Sequence, residues 1–142
     1  MSKKILIFSF VVMAAVVAAA CGSGSNDAVA GKPVKSGAAG NNLTATISNA
    51  DGVLRKGKQE FTLTFTDASG KQVDVGSVGL NYNMPAMGTM PVMNSAATFT
   101  TTNTPGVYRG KAEVDMAGEW QAQIVYDGPA GKGKFSLPIT VQ

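Results

Sequence analysis

Four methionines recur at intervals of three, Met84, Met87, Met90 and Met93, within the string Asn-Met-Pro-Ala-Met-Gly-Thr-Met-Pro-Val-Met. Thioether sulfur is a soft, uncharged donor, and the ion it suits is Cu(I). Three converging sulfurs would form a site. The chain has no histidine and a single cysteine, Cys21, so a site for zinc, Cu(II) or iron lacks its usual ligands. Met116 stands four residues before Trp120, the only tryptophan. It is a further candidate donor, with Trp120 as an aromatic cap through sulfur–aromatic or cation–π contact. Two other readings stay open for the same residues. Methionine also fills irregular gaps in a core and also lines adaptable partner-binding surfaces, while Trp120 and Tyr108 suit an ordinary hydrophobic interior.

Catalysis has less to build on. Without histidine the usual general base and the Ser/His and Cys/His nucleophile pairs are missing. Asp115 and Glu119 are the only close acid pair near the methionines, and no nucleophile, base and orienting group can be assembled around them. The expectation is a binding module, not an enzyme. The 142 residues carry a net charge of +3, and removing Lys3 and Lys4 with a leader leaves ten cations against nine anions. That balance implies no nucleic-acid partner.

The elements that must position these residues read as strands. Phe61, Leu63 and Phe65 alternate with threonines, and Trp120, Ala122, Ile124 and Tyr126 alternate with Gln121, Gln123, Val125 and Asp127. Phe135, Leu137, Ile139 and Val141 form a last period-two run. Such alternation marks half-buried strands. Further strands are expected over 43–48, 72–82 with a phase break at Gly76-Ser77, 97–101 and 107–116. Pro85, Gly88 and Pro91 exclude a helix from the methionine segment, which should be a series of turns after Tyr82. Ala117-Gly118-Glu119 should close a tight hairpin between Met116 and Trp120. About seven strands in a hundred residues imply an all-β, immunoglobulin-like sandwich. Its interior should hold Phe61, Leu63, Phe65, Leu80, Val114, Trp120, Ile124, Phe135, Leu137 and Ile139. Pro138 belongs on an edge strand or with its nitrogen turned outward, since it cannot donate to a ladder.

The front of the chain follows a different logic. Two lysines precede a sixteen-residue apolar run, Ile5 to Ala20, which ends in Ala-Ala-Ala-Cys21. The run is shorter than the roughly 20 residues of a spanning helix, and the pattern is that of a secretory leader. It resembles a bacterial lipoprotein signal, which implies that Cys21 is lipidated and anchors the chain to a membrane from the extracytoplasmic side. Gly22 rather than aspartate after that cysteine implies the outer membrane, facing the periplasm, in a two-membrane cell, and the outer surface otherwise. Residues 1–20 are thus the expected signal peptide, 21–42 a lipidated Cys with a flexible Gly/Ser/Ala linker, and 43–142 the folded domain.

Gly57-Lys58-Gln59-Glu60-Phe61, Asp67 to Lys71, Met84-Pro85-Ala86-Met87, Pro105-Gly106-Val107-Tyr108-Arg109-Gly110 and Met116-Ala117-Gly118-Glu119-Trp120 occur in the order seen in the YtkA-like (FixH-related) family. The resemblance spans about residues 43 to 142. Gln59 stands where the family commonly has Asn, and the Met-Pro segment is extended to Met93. The resemblance implies the same sandwich, and relatives include lipoproteins, membrane-anchored oxidase-assembly accessories and neighbours of heavy-metal efflux adaptors. Copper handling through Cu(I), or a metal-free interaction with a copper-efflux or oxidase-assembly protein, are the functions to expect.

Overall fold

Alternating apolar and threonine side chains on Phe61 to Thr66 place one face of that segment inward, and the other strands close over it. The structure, a computed structural model, describes residues 31–142; the expected leader, Cys21 and the first part of the expected linker lie outside the described residues. The strands are β1 (Lys32–Gly40), β2 (Leu43–Asn49), β3 (Gly57–Thr66), β4 (Ser77–Met84), β5 (Met93–Ala96), β6 (Thr98–Thr101), β7 (Val107–Val114), β8 (Gly118–Gly128) and β9 (Gly131–Val141). One sheet runs β1-β2-β3-β7-β6 and the other β5-β4-β8-β9, with antiparallel pairing throughout. The two pack face to face as the expected immunoglobulin-like sandwich. Phe61, Leu63, Phe65 and Val114 are buried against Leu80, Trp120, Ile124, Leu137 and Ile139 in one core. Burying a side chain of this size contributes about 1.5–3 kcal/mol. Phe135, expected inside, is only half-buried. Its ring sits edge-on to Phe65 and Tyr126, each at a centroid distance of 6.4 Å.

Among the described residues nine strands stand where about seven were expected, and the two additional ones are β1 and β5. Strand β1 falls in the segment read as linker, because its small residues hide the signal. Gly37 lies so close to the other sheet that an added Cβ would be 2.4 Å from Leu137 Cδ2. The Tyr126 hydroxyl donates to Ala39 O at 2.9 Å and accepts from Asn41 Nδ2 at 3.0 Å. Asn41 and Asn42 both take positive φ, 52° and 59°, as the tight turn that opposes Gly40 to Leu43 requires. Small size here serves close approach rather than flexibility.

At the phase break, Gln72 makes an isolated bridge to Thr66 and β4 begins only at Ser77. Pro138 lies on β9, the edge of its sheet, opposite Gln121. The outer side of that edge is covered near its end, where Lys56 N donates to Gln142 O at 2.7 Å and Gln142 N to Leu54 O at 2.9 Å.

Tyr82 is fully buried edge-on to Phe61, with ring centroids 5.9 Å apart, and its hydroxyl has no hydrogen-bond partner among the described residues. Burial pushes its pKa well above the ordinary tyrosine value of 10.0. Tyr108 is also raised, first by burial, while it donates to Asp74 at 3.1 Å. A raised pKa means the fold holds the proton more tightly than the unfolded chain, so the contribution of these two groups to stability is constant below pH 10 and falls above it. The expected loss is up to about 1.4 kcal/mol per pH unit for each group, read from urea unfolding. Tyr82→Phe should lose less than the parent above pH 10 and match or exceed it at pH 7, since no hydrogen bond is removed.

Candidate soft-metal site

The methionine segment is a hairpin, not the expected series of turns. Met-Pro-X-Met occurs twice, as Met84 to Met87 and Met90 to Met93, on either side of Gly88-Thr89. In the structure the two copies run antiparallel. Met84 on β4 is the register partner of Met93 on β5. Pro85 and Pro91, which lack an amide proton, interrupt the ladder next to that pair. It resumes at Met87 and Met90, where Met90 N donates to Met87 O at 2.9 Å and Met87 N to Met90 O at 3.2 Å. Gly88 turns the chain with φ +57°, the conformation that favours glycine at the first central position of a two-residue hairpin. The three-residue spacing therefore yields two cross-strand methionine pairs. Side chains in such pairs start with Cβ atoms about 4.5–5.5 Å apart.

The pairs differ in exposure. Met84 is buried at 3% and Met87 is open at 58%; Met90 and Met93 are half-buried. Met84, Met93 and Met116 pack on the core. On the outer face of the hairpin, Asn94 Oδ1 accepts from Asn81 Nδ2 at 3.1 Å and from Asn83 Nδ2 at 2.8 Å, fixing the register that opposes Met84 to Met93. Ser95 Oγ donates to Glu113 O, tying β5 to the other sheet. The outward Asn-Tyr-Asn alternation of 81–83 was the available sequence signal for this strand pair, and Gly88-Thr89 was the signal for its turn.

Met116 and Trp120 do not flank a hairpin. Strand β7 belongs to one sheet and β8 to the other, so Asp115 to Ala117 cross between layers. Three connecting residues serve either geometry, and what selects the crossing is that Val114 and Trp120 both point inward from opposite sheets. Trp120 is buried at 1%, and its Nε1 donates to Met116 O at 3.0 Å. The ring thus lies beneath the corner that carries Met116. An added Cβ on Gly118 would come within 3.0 Å of Met84 Cε, so the corner also covers Met84. The structure gathers Met84, Met93, Met116 and Trp120 around one end of the sandwich, with Met87 and Met90 projecting beyond.

Among the described residues no charged side chain is buried with the sulfurs. Asp115 and Glu119 are exposed, and Glu119 accepts from Thr140 Oγ1 at 2.7 Å. Among the described residues no three His, Cys, Asp or Glu side chains come together as a metal set. A cation held here would rely on thioethers, which are neutral and carry no proton to displace.

The model of a family described as YtkA-like matches residues 37–125, from within β1 to within β8. No curated protein matches the chain.

Gly118 has φ +137° besides its contact with Met84. Gly118→Ala is expected to cost about 1 kcal/mol or more, the penalty for a side chain at an incompatible positive φ. The measurement is the shift of the urea midpoint at constant m-value.

Proposed function

This chain belongs to the YtkA-like family, and from that premise we propose that it is an extracytoplasmic, lipid-anchored, non-catalytic module that handles copper by binding Cu(I) through its methionine hairpin. The observation that carries the reading is the pairing of Met84 with Met93 and of Met87 with Met90 across one hairpin. Met116 supplies a further sulfur from the adjoining corner, and Trp120 forms the floor beneath it. Soft neutral donors favour Cu(I) over harder ions. An acylated Cys21 places the module on the outer membrane facing the periplasm, or on the cell surface where there is one membrane. A second reading, a metal-free contact with an efflux or oxidase-assembly protein, is favoured by the exposure of Met87 and Val92, 58% and 53%.

Titration of the purified chain with Cu(I) against a competing chelator separates the two. Stoichiometric binding is expected, with affinity nearly unchanged from about pH 7 to 5 because thioethers have no proton to lose. Met87→Leu with Met90→Leu should abolish it while leaving the unfolding midpoint unchanged; a parent chain that does not compete for Cu(I) leaves the protein-contact reading. The anchor is tested separately by fractionation. Cys21→Ser is expected to release the chain from membranes, and undiminished retention would refute lipidation.

A further inference from the structure

We infer that the tip of the methionine hairpin, with Met87 and Val92 foremost, rests against the lipid surface to which the chain is anchored. The inference rests on the proposed lipidation of Cys21 and goes beyond it by fixing which end of the sandwich faces the bilayer.

Contacts trace where the chain enters the fold. An added Cβ on Gly31 would fall 2.3 Å from Asn49 O, and one on Gly52 would fall 3.1 Å from Lys32 Cβ. Leu54 bridges to Val141, Val141 pairs with Gly118, and Gly118 abuts Met84. The first described residues therefore lie at the end of the sandwich from which the hairpin projects. Cys21 is ten residues before Gly31, a reach of at most about 36 Å for any conformation of ten residues. So short a connection keeps this end close to the headgroups.

The tip has the chemistry for that position. Met87 and Val92 are two of the three large hydrophobic residues exposed among those described. Pro85, Ala86 and Pro91 beside them are exposed too. No charged residue occurs between Asp74 and Arg109, so the hairpin brings no ion to be desolvated on entering an interface. Asp115, Glu119, Lys32, Arg55 and Lys56 occupy the same end with mixed sign. Attraction to anionic lipid is therefore not the driving force, and a zwitterionic surface suffices.

The test uses the full acylated chain in phosphatidylcholine vesicles. A cysteine introduced as Thr89→Cys is the only free thiol once Cys21 is acylated, and it is labelled with an environment-sensitive fluorophore. The control is Ala68→Cys, in the turn after Thr66 at the far end of β3, roughly 30 Å from Gly57. The Thr89 probe is expected to shift to the blue and to be quenched several-fold more than the Ala68 probe by lipids bearing a nitroxide on the acyl chain. Adding Met87→Asp and Val92→Asp should remove that difference while the chain stays on the vesicles. Equal quenching at the two positions on vesicle-bound chain overturns the inference and leaves the anchor standing; failure of the chain to bind vesicles at all removes both.

Discussion

Between Val114 and Gly118 the chain leaves one sheet and enters the other, and the Trp120 indole holds that corner by donating to the Met116 carbonyl at 3.0 Å. A buried indole N–H needs a partner, and here the partner is the backbone of the connection itself. The one bond satisfies a polar atom in the core, fixes the exit direction of β7 and sets the start of β8. Strand β8 is the spine of its sheet, flanked by β4 and β9, so its starting point sets where β4 ends and thus where Met84 lies. Gly118 then leaves just enough room for the Met84 methyl group. The placement of Met84, and with it of its register partner Met93, is referred back to this corner.

The hairpin beyond the corner is held by a different balance. Two prolines interrupt its ladder, yet the pair at Met87 and Met90 recovers both hydrogen bonds because Gly88 accepts a positive φ. Pro85, Ala86, Pro91 and Val92 lie outside the ladder and are exposed. A continuous ladder would have alternated side chains strictly between two faces. The register is unchanged across the interruption, so the two-residue turn at Gly88-Thr89 and the symmetric spacing of the methionines oppose Met84 to Met93 and Met87 to Met90. The Asn81, Asn83 and Asn94 amides, neutral and mutually bonded, lock the register without placing charge near the sulfurs.

Strands with large side chains were legible in the sequence because alternation of Phe61, Leu63 and Phe65, or of Trp120 to Tyr126, has no other economical explanation. The edge position of Pro138 followed from its missing N–H. Strand β1 was not legible, since Gly37, Ala38 and Ala39 resemble a linker until Tyr126 and Leu137 are seen to close on them. Hairpin and crossing at Met116 to Trp120 share the same turn length and the same inward residues, and only the identity of the partner sheet separates them. In the methionine segment, the break signals of Pro85 and Pro91 mask Gly88-Thr89 as a hairpin turn. Which residue types form the cluster was plain from spacing; which of them face water was not, because exposure depends on β5 and on the corner above Met84.

Exposure also shows that gap-filling, metal capture and partner contact are not rival accounts of the whole cluster. A side chain that fills a gap must be buried, and Met84 is, with Met93 and Met116 packed partly against the same core. Replacing these by leucine perturbs packing by less than about 1.5 kcal/mol but confounds any loss of binding with a shift in the core. Met87 is open to solvent and packs on nothing in that core, so gap-filling does not account for it. Its register partner Met90 is half-buried at the hairpin tip and lies outside the core cluster as well. The outer pair is thus where ligand chemistry can be read apart from stability, and the inner pair is where the two are coupled. A metal drawn to the outer pair alone would leave the unfolding free energy linked only to its own concentration and affinity. One that also engaged Met84 would have to draw that side chain from beneath Gly118, and its affinity would be lowered by the cost of opening the corner.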